Sequence, residues 1–191
     1  MAGASRYTAL LDANVLFGKL QCDAMLSLAH AGLYAAKWSA HIEREWLRTR
    51  LLKFPGTDVA NMNKARAMAE TIPDCMVFGY EKFIDCLDLP DPDDRHVLAA
   101  AIVGHADAII TNNIKDFPAA VLDRHSIEVQ TPDTFIVNQL TLHQTRALAA
   151  LRQMRLRWQN PAHTPETLVD LFEKRGMLLT AVHLANFLEE V

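Results

Sequence analysis

Short apolar segments alternate with helical patterns along the first 140 residues, and this alternation constrains the fold more than any other feature. The apolar segments lie at residues 7–11, 108–111 and 127–130, and stretches with apolar residues at helical spacing separate them. Strands that alternate with helices build parallel sheets covered by helices. We therefore predict a three-layer α/β/α domain with a central parallel sheet, spanning residues 6–140.

Start and stop signals place the first helices. A helix pair or one broken helix is predicted over residues 15–31, and Ser39 is predicted to cap a helix over 40–53. Asp58 is predicted to cap a further helix that runs to about residue 71. Residues 75–89 are ambiguous, and their pattern favours a short helix followed by an edge segment.

The clearest helix start is the acidic segment at residues 91–94. Asp91 suits the N-cap and Pro92 the first helical position, because proline lacks the N–H that this position leaves unpaired. Another helix is predicted from Pro132 to about residue 140. The α/β domain should end there.

Two further helical segments follow, at residues 141–158 and 165–190. Thr164 and Pro165 resemble an N-cap and a first helical residue. We predict a small all-α C-terminal unit over residues 141–191.

Composition excludes several classes of protein. Half of the 191 residues are hydrophobic, yet no apolar stretch reaches the roughly 20 residues that a membrane span requires. Residues 1–6 do not resemble a signal peptide. Three cysteines without a C-x-x-C pair argue against a thiolate metal site and suit a reducing compartment. We expect a cytoplasmic protein with no membrane contact.

The net charge of −4 is unusual for a protein that binds nucleic acid, unless the acidic residues form a metal site. Basic residues do occur in two groups. One group, in the predicted helix over 40–53, favours a solvated helix face over contact with an RNA backbone: Arg44, Arg48, Arg50 and Lys53. The other favours a solvated helix face over an RNA or partner contact: Arg146, Arg152, Arg155 and Arg157, beside Trp158.

Four acidic residues share one kind of position. Asp12 ends the first apolar segment, Glu45 lies in a predicted helix, Asp94 opens a helix, and Asp116 follows a later apolar segment. The carboxyl ends of parallel strands meet in one crevice, so these carboxylates should gather there. Crowded carboxylates repel one another unless a cation neutralises them. We predict an Mg²⁺ or Mn²⁺ site with Asp12, Asp94 and Asp116 as metal ligands, acting on a phosphodiester.

Each assignment has an alternative. Asp12 could serve as a helix N-cap, although an N-cap needs no apolar strand before it. Asp94 has helical spacing with the apolar residues that follow it and should point inward, whereas Asp91 and Asp93 should cap or face solvent. Glu43 competes closely with Glu45, and the position of Glu45 between apolar neighbours favours it only slightly.

Polar neighbours support this cluster. Asn14 can hydrogen-bond the turn that follows the first strand, and Asn113 offers a carbonyl oxygen close to Asp116. Glu45 and Asp116 are expected to bind a second ion or to orient the attacking water.

Taken in order, these motifs resemble the PIN domain. They are the segment at residues 10–16, Ser39 followed by Glu45, the segment at 91–101, and the segment at 110–117. The chain more narrowly resembles the VapC-type toxins of bacterial toxin–antitoxin pairs, including a subgroup with an added helical C-terminal unit. The resemblance covers residues 6–140 well and 141–191 loosely.

The resemblance implies a metal-dependent endoribonuclease that acts on RNA, is held inactive by a cognate antitoxin and forms homodimers. Asp12, Glu45, Asp94 and Asp116 match the acidic quartet of the family. Thr111 matches a polar residue that helps to shape the pocket. At position 113 many members have aspartate where this chain has asparagine, so one ligand charge is absent.

Two other functions are consistent with parts of the pattern. A haloacid dehalogenase-type phosphatase also places an aspartate after its first strand, but that chemistry needs a second aspartate two residues later, where this chain has Asn14. A PIN-like module could instead bind RNA or protein without cutting it, which the missing charge at Asn113 would permit.

Overall fold

The computed structural model describes residues 6–191, and within them a five-stranded parallel sheet forms the centre of the fold. The strand order is β3-β2-β1-β4-β5. The strands are β1 (Thr8–Leu11), β2 (Ala35–Ser39), β3 (Met76–Val77), β4 (Ala108–Ile110) and β5 (Glu128–Gln130). The parallel sheet, its flanking helices and the helical C-terminal part confirm the predicted fold class. The expectation about a signal peptide falls mainly on residues 1–5, which lie outside the described residues.

Contacts divide the chain into two compact units. The sheet unit contains residues 6–18 and 34–131, and the helical unit contains residues 19–33 and 132–191. The division differs from the domain bounds predicted at residue 140, because two segments before that position belong to the helical unit. The bounds 6–140 and 141–191 stay a prediction about folding units, which limited proteolysis would test.

Helices in the sheet unit cover and extend the sheet. They are α1 (Ala13–Phe17), α3 (Ala40–Lys53), α4 (Asp58–Thr71), α5 (Arg95–Val103) and α6 (Ala119–Leu122). Helix α5 packs on β1, β2 and β4, and α3 packs against α1 and α4. The central strands are apolar on both faces, since the consecutive residues Leu10 and Leu11 of β1 and Ile109 and Ile110 of β4 are all fully buried. This pattern is typical of parallel strands that are covered on both sides.

Caps confirm most of the predicted helix starts. The Ser39 hydroxyl accepts the Ile42 N–H at 3.3 Å, as an N-cap does. Asp91 accepts the Asp93 N–H at 2.9 Å and begins a 3-10 turn at Pro92–Asp94, directly before α5. The prediction that Asp58 is a cap was wrong by one residue, because α4 begins at Asp58 and Thr57 occupies the cap position.

The ambiguous segment at residues 75–89 has the reverse order of the one predicted. The edge strand β3 comes first, and a 3-10 helix at Glu81–Cys86 follows it. Two residues are too few for an alternating pattern to be recognised in the sequence. Other 3-10 turns lie at Ile114–Asp116 and Asp123–His125.

The helical unit packs its helices around an apolar interior. The helices are α2 (Lys19–His30), α7 (Pro132–Leu142), α8 (Gln144–Arg157), α9 (Pro165–Lys174) and α10 (Leu178–Ala185). Helix α2 packs against α8 and α7, and α10 packs against α9 and α7. Thr164 caps α9 by accepting the Thr167 N–H at 3.3 Å, and Pro165 is the first helical residue as predicted. Across residues 6–191 we find no helix that combines the length and the apolar character of a membrane span.

Three of the four arginines on α8 bind other segments of the helical unit. Arg146 donates to the Ala31 carbonyl at 2.6 Å, and Arg155 donates to the His163 carbonyl at 2.7 Å. Arg157 donates to the Asp23 carboxylate at 2.8 Å. The predicted solvated face is therefore largely a set of internal contacts within this unit.

Candidate active site

Asp12 stands where β1 meets α1 and is 5% exposed. Its backbone N–H donates to the Ile110 carbonyl at 3.1 Å and so extends the pairing with β4. Its side chain accepts the Ala13 N–H at 2.5 Å and caps α1. Asp12 therefore does cap a helix, which the sequence offered as the alternative to a catalytic role. It is also a buried carboxylate at the carboxyl edge of the sheet.

Two polar side chains hold the Asp12 carboxylate. The Thr111 hydroxyl donates to Oδ2 of Asp12 at 2.7 Å, and the Asn14 amide donates to the same oxygen. The Asn14 amide also donates to the Thr111 hydroxyl oxygen at 2.9 Å. Thr111 is fully buried. The structure thus brings together three of the residues singled out in the sequence.

The loop after β4 fixes Asn14 in turn. Asn112 donates to Oδ1 of Asn14 through its backbone N–H at 3.0 Å and through its side-chain amide at 3.1 Å. Sequence reasoning gave Asn112 no role. Asn113 contributes its backbone N–H, which donates to the Thr111 hydroxyl at 3.0 Å, while the residue as a whole is exposed.

Asp94 is half-buried in the turn before α5. Burial, followed by the negative charges of Asp12, Asp91 and Asp116, raises the pKa of its carboxyl group to about 7. Asp116 comes from the turn at Ile114–Asp116, so carboxylates from three separate segments act on one another. The site is therefore short of positive charge.

The pKa of Asp12 is also raised, mainly by burial and to a smaller extent by the charge of Glu45. Hydrogen bonds from Thr111 and from the Ala13 N–H act in the opposite direction, because they stabilise the ionised form. These donors offset part of the effect of burial on the carboxylate.

Oxygen donors of this kind suit Mg²⁺ or Mn²⁺. Within residues 6–191, however, no three His, Cys, Asp or Glu side chains are grouped closely enough to hold a metal ion. The carboxylate and amide oxygens are of the type that binds a hard divalent cation, but the acidic side chains do not surround one common point.

Glu45 and Glu43 lie in different surroundings. The Glu45 carboxylate pairs with Nε2 of His96 at 3.1 Å, and its charge acts on Asp12. Glu43 lines a separate cavity between α3 and α4, together with Leu47 and Met62. The environment of Glu45 favours it over Glu43 as a member of the site.

A histidine and tyrosine cluster next to Glu45 was missed in the sequence. His96, on α5, is 8% exposed, and its ring lies 5.1 Å from the ring of His41 on α3. Nδ1 of His41 lies 3.0 Å from the hydroxyl of buried Tyr80. His41 precedes Glu45 by one helical turn, which is the signal that could have drawn attention to it.

The basic residues of α3 divide into two sets. Arg50 donates to the Asn61 side chain at 2.8 Å and to the Phe17 carbonyl at 3.4 Å. Arg44 and Arg48 are exposed. Only the exposed arginines offer guanidinium groups to a ligand without breaking an internal contact.

Comparison with known proteins gives two matches. The family model described as "VapC50 C-terminal domain" matches residues 132–186, which lie within the helical unit. The chain is 37% identical over 93 residues to the protein of Mycobacterium tuberculosis named "Putative ribonuclease VapC50". That alignment covers 49% of this chain and 54% of the relative, so the chain matches about half of the relative's length.

No solved structure matches the chain. The two matches concern sequence, and the parallel sheet with its C-terminal helices agrees with them. Together they show that the chain is similar to a VapC-type ribonuclease and that its helical C-terminal part matches the C-terminal domain of VapC50.

Proposed function

We propose that this protein is a divalent-metal-dependent endoribonuclease and the toxin of a type II toxin–antitoxin pair. The observation that carries the proposal is the convergence of acidic side chains at the carboxyl edge of the sheet, where Asp12 is buried, its charge acts on Asp94, and the charge of Glu45 acts on Asp12. The similarity to a protein named as a ribonuclease supports the same reaction class.

Asp12, Asp94 and Asp116 would hold the ion. The mutual repulsion of Asp94 with its neighbours supports this assignment, because a cation would remove a repulsion that His96 offsets only in part. When bound, Mg²⁺ or Mn²⁺ acidifies water and neutralises charge that develops on phosphoryl oxygens. The lost charge at Asn113 would weaken ion binding relative to an aspartate there.

The supporting residues keep the carboxylates in position. Thr111 and Asn14 fix the location of Asp12, the hydrogen bond from Thr111 favours its ionised form, and Asn112 fixes Asn14. Such support matters because displacement of a reacting group by 1 Å can cost about a hundredfold in rate. His96 would similarly orient Glu45, which we expect to position the attacking water.

The test is cleavage of single-stranded RNA by the purified protein, with Mn²⁺ or Mg²⁺ and after chelation with EDTA. We expect cleavage that requires the metal and that Asp12→Asn and Asp94→Asn abolish without loss of the fold. Asp93→Asn is the matched control, because Asp93 is exposed and adjacent to Asp94 in sequence. Full activity of Asp94→Asn would refute the assignment.

The same assay separates the alternatives. Hydrolysis of a small phosphomonoester without RNA cleavage would favour the phosphatase, although Asn14 here donates to Asp12 and accepts from Asn112, a role that suits an amide rather than a proton-transferring acid. RNA binding without cleavage in the presence of Mn²⁺ would favour the non-cleaving module.

The proposed antitoxin would cover the acidic pocket, with a basic side chain drawn to the carboxylates. Exposed apolar side chains around the turn from α3 to α4 also support a protein partner, because a monomer gains nothing by exposing them. They are Leu51, Leu52, Phe54, Val59 and Met62. Expression of the chain alone should arrest growth, and either Asp12→Asn or co-expression of the antitoxin should restore it.

Homodimer formation and a cytoplasmic location are further parts of the proposal. Light scattering on the purified chain should give twice the monomer mass of 21.4 kDa. Cell fractionation should recover the chain with soluble RNA-binding proteins rather than with membranes. A purely monomeric chain at micromolar concentration would remove the homodimer from the proposal.

A further inference from the structure

Among the described residues, the buried hydroxyl of Tyr80 hydrogen-bonds only to His41. Tyr80 is 1% exposed, and its oxygen lies 3.0 Å from Nδ1 of His41 and accepts the His41 backbone N–H at 3.3 Å. A buried phenol also needs an acceptor for its own proton. Nδ1 of His41 is the acceptor that the described part of the chain provides. The Tyr80 O–H therefore donates to Nδ1.

This hydrogen bond selects one tautomer of the imidazole. A neutral histidine carries one proton, and an Nδ1 that accepts must leave that proton on Nε2. His41 is partly exposed, and none of residues 6–191 pairs with its Nε2. The ring therefore has a fixed donor, Nε2–H, without a protein partner in the described chain.

The location of His41 connects this donor to the proposed site. His41 lies in the first turn of α3, just beyond the end of β2 at the carboxyl edge of the sheet. Its ring lies 5.1 Å from the ring of His96, and His96 pairs with Glu45 at 3.1 Å. His41 thus borders the acidic residues without belonging to them.

The surroundings favour the neutral form of His41. Burial lowers its pKa first, followed by the positive charge of Arg44 and the proximity of His96, while Glu45 and Glu81 act in the opposite direction. A neutral imidazole donates a hydrogen bond but adds no charge to the site. Such a donor suits an oxygen acceptor that must be positioned, rather than a leaving group that must be protonated.

We propose that the Nε2–H of His41 donates a hydrogen bond to a backbone oxygen of the RNA strand next to the scissile phosphate, and that Tyr80 is the positioning residue that fixes this donor. The acceptor is either a ribose 2′-hydroxyl or a non-bridging phosphate oxygen. The inference rests on the proposed endoribonuclease function and adds a substrate contact that the acidic residues do not provide.

Steady-state cleavage of a fluorogenic RNA in Mn²⁺ tests the proposal. His41→Ala should raise KM about three- to tenfold and leave kcat within about twofold, as expected for the loss of one hydrogen bond to substrate. His41→Gln should recover most of the affinity, because its amide nitrogen can reach the position of Nε2, whereas His41→Asn should not. Exposed His125 provides the matched histidine-to-alanine control.

The Tyr80→Phe variant supplies a readout that a merely structural role would not change. Long-range ¹H–¹⁵N spectra should show the Nε2–H tautomer of His41 in the wild type and a mixture of tautomers in Tyr80→Phe, with a smaller rise in KM. Substrates with a single 2′-deoxy or phosphorothioate substitution identify the acceptor. Only the substitution that removes the true acceptor should abolish the difference in KM between the wild type and His41→Ala.

Several results would overturn the inference. One is an unchanged KM for His41→Ala, and another is an Nδ1–H tautomer in the wild type. Equal losses in His41→Ala and His41→Gln, accompanied by lower thermal stability, would indicate a structural role only. If the wild type cleaves no RNA, both the proposed function and this inference are wrong. If the wild type is active and His41→Ala has the same KM, only this inference is wrong.

Discussion

Replacing Thr111 with valine should destabilise the protein by an amount that depends on the charge of Asp12. Valine has nearly the same shape as threonine, so the fully buried site gains no large cavity. The variant loses the hydroxyl that donates to the Asp12 carboxylate at 2.7 Å. Asn14 still donates to Asp12, and Asn113, whose N–H also loses this acceptor, is an exposed residue. The main loss is therefore one hydrogen bond to a charged group.

A hydrogen bond to a charged group contributes about 1.5–3 kcal/mol. For a chain of this size, a loss of about 2 kcal/mol lowers Tm by about 4–8 °C. In an Asp12→Asn background the acceptor is neutral, and the cost of Thr111→Val should fall to about 1 kcal/mol. Urea unfolding of the wild type, both single variants and the double variant, all in EDTA, measures this coupling.

Thr71→Val is the matched control. The Thr71 hydroxyl donates to the Ala67 carbonyl at 2.6 Å on the exposed surface of α4, and its loss should change stability by no more than about 0.5 kcal/mol. If Thr111→Val costs no more than Thr71→Val, or costs the same with and without the Asp12 charge, Thr111 does not support the ionised carboxylate.

Three further predictions concern pH, a buried polar cluster and the helical core. The pKa of Asp94 is raised to about 7, so the metal-free protein binds a proton on folding, and its free energy of unfolding should fall as the pH rises from about 4 to 7. In urea titrations at several pH values, Asp94→Asn should flatten this slope, whereas Asp93→Asn should not. Asp23→Ala removes the acceptor of the Trp158 indole N–H, which lies 2.6 Å away, and should lower the free energy of unfolding by about 1–3 kcal/mol. Tryptophan emission should shift to the red, and an unchanged spectrum would contradict that contact. Phe172→Ala empties a fully buried position in the helical unit and should cost about 3–5 kcal/mol, whereas a cost below about 1 kcal/mol would mean that the unit repacks freely.

The parts of the fold that were predictable depend on local chemistry. Ser39 and Thr164 cap helices because of interactions within four residues, and proline at the first helical position is a local preference. The buried position of Asp12 at the end of β1 was predictable because an apolar strand leads directly to it. Each of these patterns lies within a short stretch of sequence, and the interaction that it predicts does not depend on distant parts of the chain.

The parts that were not predictable depend on contacts between distant segments. His96 and Glu45 are 51 residues apart, and Tyr80 and His41 are 39 residues apart, so no local pattern joins them. Periodicity predicted a helix near residues 15–31 but could not identify which apolar surface it would meet. For the same reason, the sequence favoured a domain boundary at residue 140 while the contacts group α7 with the later helices.

The grouping of α2 with the last helices limits how the chain can be shortened. Leu20, Met25 and Leu28 of α2 are buried in a unit whose other members, α7 to α10, come more than a hundred residues later. A truncated protein that stopped at residue 140 would keep α2 but lose α8, its principal neighbour, and would expose an apolar helix face to water. The C-terminal helices should therefore behave as a required part of the fold, and their removal should cause aggregation rather than release an independently folded sheet unit.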